Sequence, residues 1–194
     1  MPHQLNWQEI CQMIPKRKAD AQKGDFGRLL CITGSRNMPG ACLLSTQAAL
    51  RGGAGLVTVA TAPENPMRLA AAAPEAMWLP LETDEAGFLR SSDQNRKTLE
   101  KQLSRANAVL LGCGLGVTEE TRRLVHWVLE QAVCPVVLDA DGLNCAVSCI
   151  ELSRRTGKDW ILTPHPGEMA RLTGHSIPQI QDCLLYTSDA ADDL

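Results

Sequence analysis

Short apolar runs alternate along this chain with longer stretches of helical periodicity. The apolar runs predict strands at 29–33, 56–60, 76–81, 108–111, 135–139 and 160–163. The stretches between them predict helices at 41–51, 66–73, 96–105 and from Thr118 onward, after a polar helix that ends near Pro15. Strand, helix and strand follow one another within about 30 residues, as in a βαβ unit with parallel strands. The pattern therefore predicts an α/β fold, with a mostly parallel sheet and helices on both faces.

Composition narrows the class of protein. The 194 residues are 44% apolar and 21% charged, which is typical of one soluble globular domain. The formal net charge of −3 gives no support for a nucleic-acid partner or an anionic membrane surface. No apolar stretch approaches the roughly 20 residues of a spanning helix, and the N-terminus lacks an apolar signal segment. We therefore expect a cytoplasmic protein that binds neither nucleic acid nor membranes.

The cysteines and histidines do not form a recognisable metal or disulfide pattern. Eight cysteines occur, at positions 11, 31, 42, 113, 134, 145, 149 and 183. None forms a Cys-x-x-Cys pair, and the four histidines are not at ligand spacing to any cysteine pair. We expect the cysteines to be core thiols rather than ligands or disulfides.

Most of the unusual residues follow predicted strands, at the edge of a parallel sheet where ligands bind. Four segments converge there: Gly34–Ala41, Gly112–Gly116, Asp139–Asn144 and Thr163–Glu168. Glycines at 112, 114 and 116 allow a backbone to approach a ligand closely, although a tight strand-to-helix turn explains them equally well.

The carboxylates and the histidine at this edge are candidate functional groups. Asp139 and Asp141 can face a ligand or a hydrated Mg²⁺, or they can turn the chain and cap the next helix. His165 stands between two prolines, which stiffen the loop and aim the imidazole. A structural histidine is the alternative, since lone histidines are often structural.

Five segments carry a family resemblance when they are taken together: 23–28 (KGDFGR), 51–57 (RGGAGLV), 112–116 (GCGLG), 139–144 (DADGLN) and 163–168 (TPHPGE). The set resembles the carbohydrate-kinase-like domain of the ADP-dependent (S)-NAD(P)H-hydrate dehydratases, and it extends over about residues 15–181. The resemblance implies a ribokinase-like fold. It also implies a lyase that uses ADP, or ATP in eukaryotes, with Mg²⁺ to phosphorylate hydrated NADH or NADPH, so that phosphate elimination restores the nicotinamide ring.

The resemblance also implies which residues line the site. The positions matching hydrate contacts are Ala41, Gly114 and His165, and those lining the same cleft are Gly116, Asp139 and Asn144. Three departures are mild: Cys113 replaces a proline, Gly142 replaces an alanine, and Met38-Pro39 replaces a tyrosine-containing segment. No residue of this chain matches the catalytic aspartate of the family, and the resemblance leaves the metal ligands unknown.

One expected part of the family pattern is absent from the sequence. The Lys-Gly strand and the Gly-x-Gly-Asp turn, which carry the nucleotide contacts and the catalytic aspartate, do not follow the histidine loop. We therefore expect residues 1–182 to be a partial, inactive domain that lacks its C-terminal strands and helices. Residues 183–194 resemble the translation of a sequencing-library adapter, and we expect them to be a non-native tail.

Further expectations concern partners and alternatives. The resemblance implies a homo-oligomer for the complete protein, with a homotetramer as one arrangement, and an epimerase domain or partner encoded elsewhere. A small-molecule or vitamin-precursor kinase of the same fold is one alternative function, because fold alone does not fix activity. A non-catalytic nucleotide-binding fragment is the other.

Overall fold

Six parallel strands form the centre of the computed structural model, which describes residues 6–14, 18–149 and 159–188. The strands are β1 (Arg28–Ile32), β2 (Leu56–Thr61), β3 (Met77–Pro80), β4 (Ala108–Leu111), β5 (Val136–Leu138) and β6 (Trp160–Leu162). They lie side by side in the order β3-β2-β1-β4-β5-β6, and every neighbouring pair is parallel. The predicted parallel α/β sheet is confirmed.

The described helices are α1 (Trp7–Met13), α2 (Pro39–Arg51), α3 (Asn65–Leu69), α4 (Asp93–Leu103), α5 (Glu119–Gln131), α6 (Asp141–Ala146), α7 (Pro166–Thr173) and α8 (Ile177–Ser188). Short 3-10 turns occupy Lys23–Phe26 and Val147–Cys149. Each of these helices falls short of the length and apolar character that crossing a membrane requires.

Side chains that alternate between the two faces of the strands divide the core into two layers. On β1, Leu30 and Ile32 belong to one buried cluster, whereas Cys31 belongs to the other. Because successive side chains of a strand point to opposite faces, the clusters lie on opposite sides of the sheet. The first contains residues of α4, α5 and α6, and the second contains residues of α2 and α3. The predicted placement of helices on both faces is therefore confirmed.

Local signals explain where the main helices begin. The hydroxyl of Thr118 accepts a hydrogen bond from the backbone N–H of Thr121 at 3.1 Å, which caps α5. Helix α2 begins at Pro39, two residues before the predicted start, because proline is well tolerated in the first turn of a helix. Helix α4 begins at Asp93 rather than residue 96, because Ser92 caps it through the N–H of Asn95.

Several sequence-based boundaries and assignments differ from the structure. Helix α3 ends at Leu69 instead of residue 73, and turns then lead to β3. No bounds were predicted from the sequence for helices α6, α7 and α8. The core-thiol prediction holds for Cys31, Cys42 and Cys145, which are buried, but it is wrong for Cys11, which is exposed on α1.

The proposed division of the chain at residue 182 falls within α8, whose backbone continues as far as Ser188. Residues 189–194 of the expected tail lie outside the described residues. The division into a native part and a non-native tail stays a prediction.

The buried stripe of α5 gives a direct test of this packing. Leu124 is fully buried, whereas Leu44 on α2 is 69% exposed. We expect Leu124→Ala to lower the free energy of unfolding by about 2–5 kcal/mol, because it removes buried methyl groups and leaves a cavity. Leu44→Ala, the matched control, is expected to change it by less than about 0.5 kcal/mol. Urea unfolding measures both, and equal effects would contradict the assignment of the core.

Candidate functional site

The strand order places a crevice between β1 and β4. The chain runs from β1 outward through β2 to β3, and then returns to place β4 on the other side of β1. In open parallel sheets, ligands bind at such a reversal, outside the carboxyl ends of the strands. The segments that follow β1 and β4 therefore form the walls of the candidate site.

Two hydrogen bonds join these walls. The backbone N–H of Gly34 donates to the carbonyl of Cys113 at 2.8 Å, and that of Ser35 donates to the carbonyl of Gly114 at 2.7 Å. The pairing continues the register of β1 and β4 beyond the ends of both strands. It brings Gly112–Gly116, called the glycine turn below, against the start of α2.

Gly114 and Ala41 meet at this junction. Gly114 has a φ of +69°, and a Cβ added to it would lie 2.8 Å from the Cβ of Ala41. A side chain at position 114 would therefore be strained in its backbone and would also clash with α2. Two residues predicted to contact the hydrate, far apart in sequence, are thus brought together.

The other glycines of the turn pack against the protein itself. Gly112 has a φ of +134°, and an added Cβ would lie 2.0 Å from the carbonyl oxygen of Asp139. At Gly116 the space is taken by the ring of Phe88, 2.3 Å away. The tight strand-to-helix turn that the sequence left open is present, and it needs these glycines whether or not a ligand is bound.

Asp139 links the ends of three neighbouring strands. One oxygen of its carboxylate accepts a hydrogen bond from the hydroxyl of Thr163, after β6, at 2.7 Å. The other accepts from the thiol of Cys113, after β4, at 3.2 Å. Burial of Cys113, reinforced by the adjacent carboxylate, raises the pKa of its thiol to about 12. The thiol therefore stays protonated and remains a donor at neutral pH.

Asp141 fixes the glycine turn from the other side. Its carboxylate accepts a hydrogen bond from the backbone N–H of Gly116 at 2.7 Å. Before it, Ala140 is the only non-glycine residue of the described chain with a positive φ, at 50°. Such a conformation costs about 1–3 kcal/mol and persists only where its surroundings enforce it. Here the turn between β5 and α6 packs tightly, since a Cβ on Gly142 would lie 2.3 Å from the carbonyl of Leu111.

His165 caps helix α7. Its Nδ1 accepts a hydrogen bond from the backbone N–H of Gly167 at 3.0 Å, and its Nε2 lies 3.2 Å from the buried carboxylate of Glu168. These contacts orient the imidazole with Nδ1 as acceptor and Nε2 as donor. The side chain is 63% exposed, so a ligand can reach it. The structural interpretation of His165 is therefore confirmed, and its contact with a ligand stays a prediction.

Asn144 lies on α6, and its side chain forms hydrogen bonds within the turn before α6 and with α7. Its Nδ2 donates to the carbonyl of Ala140 at 3.2 Å, and its Oδ1 accepts from Arg171 of α7 at 2.8 Å. Neither Asn144 nor His165 has a hydrogen bond to Ala41, Gly114 or Asp139 within the parts of the chain that the structure describes. The structure thus joins Ala41 to Gly114 and ties Asp139 to the same turn, while Asn144 and His165 stand at its border.

The comparisons with known proteins agree with this geometry. A family model described as NAD(P)H-hydrate dehydratase matches residues 29–194. The chain belongs to this family. A bifunctional NAD(P)H-hydrate repair enzyme Nnr from Coxiella burnetii is 40% identical over 177 residues, which cover 91% of this chain and 33% of that protein. An ADP-dependent (S)-NAD(P)H-hydrate dehydratase from Xanthomonas campestris is 38% identical over 163 residues, which cover 84% of this chain and 53% of that protein.

Solved structures show the same fold. A ribokinase-like superfamily protein from Enterococcus faecalis superposes with a TM-score of 0.74 and 27% identity, over 90% of this chain and 58% of that one. The ADP/ATP-dependent NAD(P)H-hydrate dehydratase from Bacillus subtilis, co-crystallised with ATP/Mg²⁺, superposes with a TM-score of 0.67 and 30% identity, over 90% and 57%. The ribokinase-like fold is therefore confirmed. The chain spans about half the length of single-activity members of the family and a third of the bifunctional ones.

Sequence reasoning missed three contributors to the site. Thr163 and Cys113 were quoted within motifs, but their hydrogen bonds to Asp139 depend on the alignment of β4, β5 and β6. Phe88, which packs on Gly116, lies in a loop with no motif. A hydroxyl at the last position of the predicted strand 160–163 was the available signal for Thr163, because such residues reach the ligand-binding edge of the sheet.

Replacing Gly112 tests whether the turn depends on close backbone packing. Gly112→Ala is expected to destabilise the protein by well over the roughly 1–2 kcal/mol that a positive φ costs an alanine, because the new Cβ also clashes with backbone. Gly174→Ala is the matched control, since Gly174 has a φ of +75° and nothing within 4 Å of an added Cβ. Thermal unfolding should show the larger loss at position 112, and equal losses would contradict the proposed packing.

Proposed function

We propose that this chain forms the hydrate-binding part of an ADP-dependent (S)-NAD(P)H-hydrate dehydratase. The observation that carries the proposal is the meeting of Ala41 and Gly114 at the crevice between β1 and β4. Such enzymes transfer a phosphate from ADP to the hydroxyl of the hydrated nicotinamide ring. Elimination of that phosphate then restores NADH or NADPH.

Small residues suit a flat ligand. Gly114 is buried against Ala41, which is itself half-buried. Ala41 therefore offers a planar ring a methyl group rather than a bulky side chain at the junction. The turn that holds them is preorganised by the hydrogen bonds from Gly34 and Ser35. A ligand therefore does not have to order this wall of the site when it binds.

His165 is proposed to hydrogen-bond the hydrate. Its ring is held by Gly167 and Glu168, so little rotational freedom is lost when a ligand binds. Its Nε2–H faces the Glu168 carboxylate and would be shared with, or turned toward, an oxygen of the substrate, because Nδ1 already accepts a hydrogen bond from the chain.

The two aspartates fit a hydrated Mg²⁺. Within the described residues, the carboxylates of Asp139 and Asp141 accept bonds only from neutral groups, and no Lys or Arg forms an ion pair with them. Their negative charge is therefore not neutralised, which suits a cation that keeps most of its water and binds through one or two carboxylates. When bound, Mg²⁺ would neutralise charge on the transferred phosphate. No group of three or more candidate ligands occurs in the described chain, so phosphate and water would complete the coordination.

The remaining roles are assigned outside this chain. The proposal places the catalytic aspartate and most nucleotide contacts in the part of the longer relatives that this chain does not cover. It also places the complete protein in the cytoplasm as a homo-oligomer. The two alternatives, a vitamin-precursor kinase and a non-catalytic nucleotide-binding fragment, share the sheet, but the family match does not favour them.

Substitution of His165 tests the substrate-binding role. We expect His165→Asn to weaken binding of the (S)-NADH hydrate by about two- to tenfold, the equivalent of one hydrogen bond, while asparagine still caps α7. His175→Asn is the matched control, because His175 is exposed and bonds only to its near neighbour Thr173 in the described chain. Calorimetric titration measures both affinities. An unchanged affinity at position 165, at matched thermal stability, would refute the role.

An activity assay distinguishes the proposed reaction from the alternatives. We expect the chain of 194 residues to give no ADP-dependent recovery of NADH absorbance from the hydrate. A chain extended to the length of the single-activity relatives should give it, because phosphoryl transfer needs an anion hole that these segments do not supply. Phosphorylation of a vitamin-precursor alcohol instead would favour the kinase. Equal turnover by both chains would mean that the catalytic machinery lies within this one.

A further inference from the structure

A second cleft lies beside the candidate site, between α5, α6 and α7. It has a volume of about 440 Å³ and is lined by Val117, Arg122, Asn144, Val147 and Arg171. Val117 directly follows the glycine turn, so the cleft opens next to the ligand-binding edge of the sheet. Among the described residues, the lining contains two guanidinium groups and no carboxylate, which gives it a positive charge.

Both arginines are held in place by one residue. Arg122 donates to the backbone carbonyl of Asn144 at 3.1 Å, and Arg171 donates to the Oδ1 atom of the same asparagine at 2.8 Å. Each guanidinium has five N–H donors, and within the described residues each uses one of its terminal nitrogens in this way. The two groups are therefore anchored to the same residue, and most of their donors make no hydrogen bond within the described chain.

Neither arginine has an acidic partner among the described residues. Elsewhere in the chain, Arg36 pairs with Glu64, and Arg123 pairs with Glu119 and Glu120. Arg122 is adjacent to Arg123 in sequence but faces the cleft, where only neutral groups meet it. An unneutralised pair of arginines in a concave surface is the arrangement that binds phosphate, because the planar guanidinium matches two phosphate oxygens at once.

A purely structural role accounts for only part of these contacts. Arg122 caps a carbonyl near the C-terminal end of α6, where a positive charge is favourable, and Arg171 joins α6 to α7. These bonds use one N–H group of each side chain. They do not account for two cations sharing a cleft that contains no carboxylate.

We propose that Arg122 and Arg171 together bind a phosphate group in this cleft. The choice of phosphate over other anions rests on the proposed function, since the hydrated dinucleotide and ADP both carry phosphates. Free inorganic phosphate offers the same chemistry. Asn144 orients both guanidinium groups and thereby acts as a positioning residue.

The test measures binding of inorganic phosphate to the chain by calorimetry and by the rise in melting temperature. Wild type is compared with Arg122→Gln, Arg171→Gln and the matched control Arg123→Gln, which removes the same charge from the same helix as Arg122→Gln. We expect phosphate to stabilise wild type and Arg123→Gln equally. Affinity should fall about tenfold or more in each of the other two variants, because a charge-assisted pair of hydrogen bonds is lost.

Lysine variants separate binding from folding. Arg122→Lys and Arg171→Lys keep the charge but lose the planar fork, so they should bind phosphate more weakly than wild type and more tightly than the glutamine variants. They also provide the comparison if a glutamine variant fails to fold. The proposal is overturned if phosphate does not stabilise wild type, or if all variants bind it alike.

Competition identifies the source of the phosphate. Displacement of inorganic phosphate by NADP⁺ or NAD⁺ supports the cleft as a subsite for the dinucleotide, and displacement by NADP⁺ alone assigns it to the 2′-phosphate. Phosphate binding that neither dinucleotide disturbs supports the cleft as a site for free phosphate. None of these measurements depends on turnover of the hydrate, so failure of the dehydratase assignment would appear separately.

Discussion

The direct contact between the segments that follow β1 and β4 is the constraint on which the candidate site depends. Hydrogen bonds from Gly34 and Ser35 hold the glycine turn against the start of α2, and the missing side chain of Gly114 makes the approach possible. If the turn moved outward by the width of one methyl group, Ala41 would lose its neighbour. The candidate site is thus shaped by backbone contacts within the protein.

Hydrogen bonds to Asp139 further fix the strand ends beside that junction. Asp139 receives donors from Thr163 and Cys113, so one carboxylate aligns the ends of β4, β5 and β6. Hydrogen bonds to a charged group contribute about 1.5–3 kcal/mol each, and these two contribute less because Thr163 is exposed and a thiol is a weak donor. The thiol of Cys113 stands where the family resemblance implies a proline, and it adds a donor that proline lacks. The carboxylate is therefore immobilised by neutral groups, which preserve its charge.

The sequence predicted the sheet more accurately than the helices beside the candidate site, for physical reasons. Buried parallel strands such as Ala108–Leu111 appear as uninterrupted apolar runs, so all six were located within one or two residues. Helices α6 and α7 are short and begin in turns rich in glycine, proline and aspartate, so their periodicity is too brief to detect. Ala41 and Gly114 were found through family motifs. The shared contact of Arg122 and Arg171 with Asn144 was not predicted, because it depends on how three helices meet and no local sequence pattern indicates that.

The hydrogen bond by which His165 caps α7 depends on the protonation of its imidazole ring. The imidazole caps α7 through Nδ1, and only the neutral ring has an acceptor there, because a protonated ring carries hydrogen on both nitrogens. Protonation of Nδ1 would therefore release the N–H of Gly167 and loosen the first turn of α7. One exposed imidazole thus couples its own hydrogen-bonding state to the order of the helix that follows it.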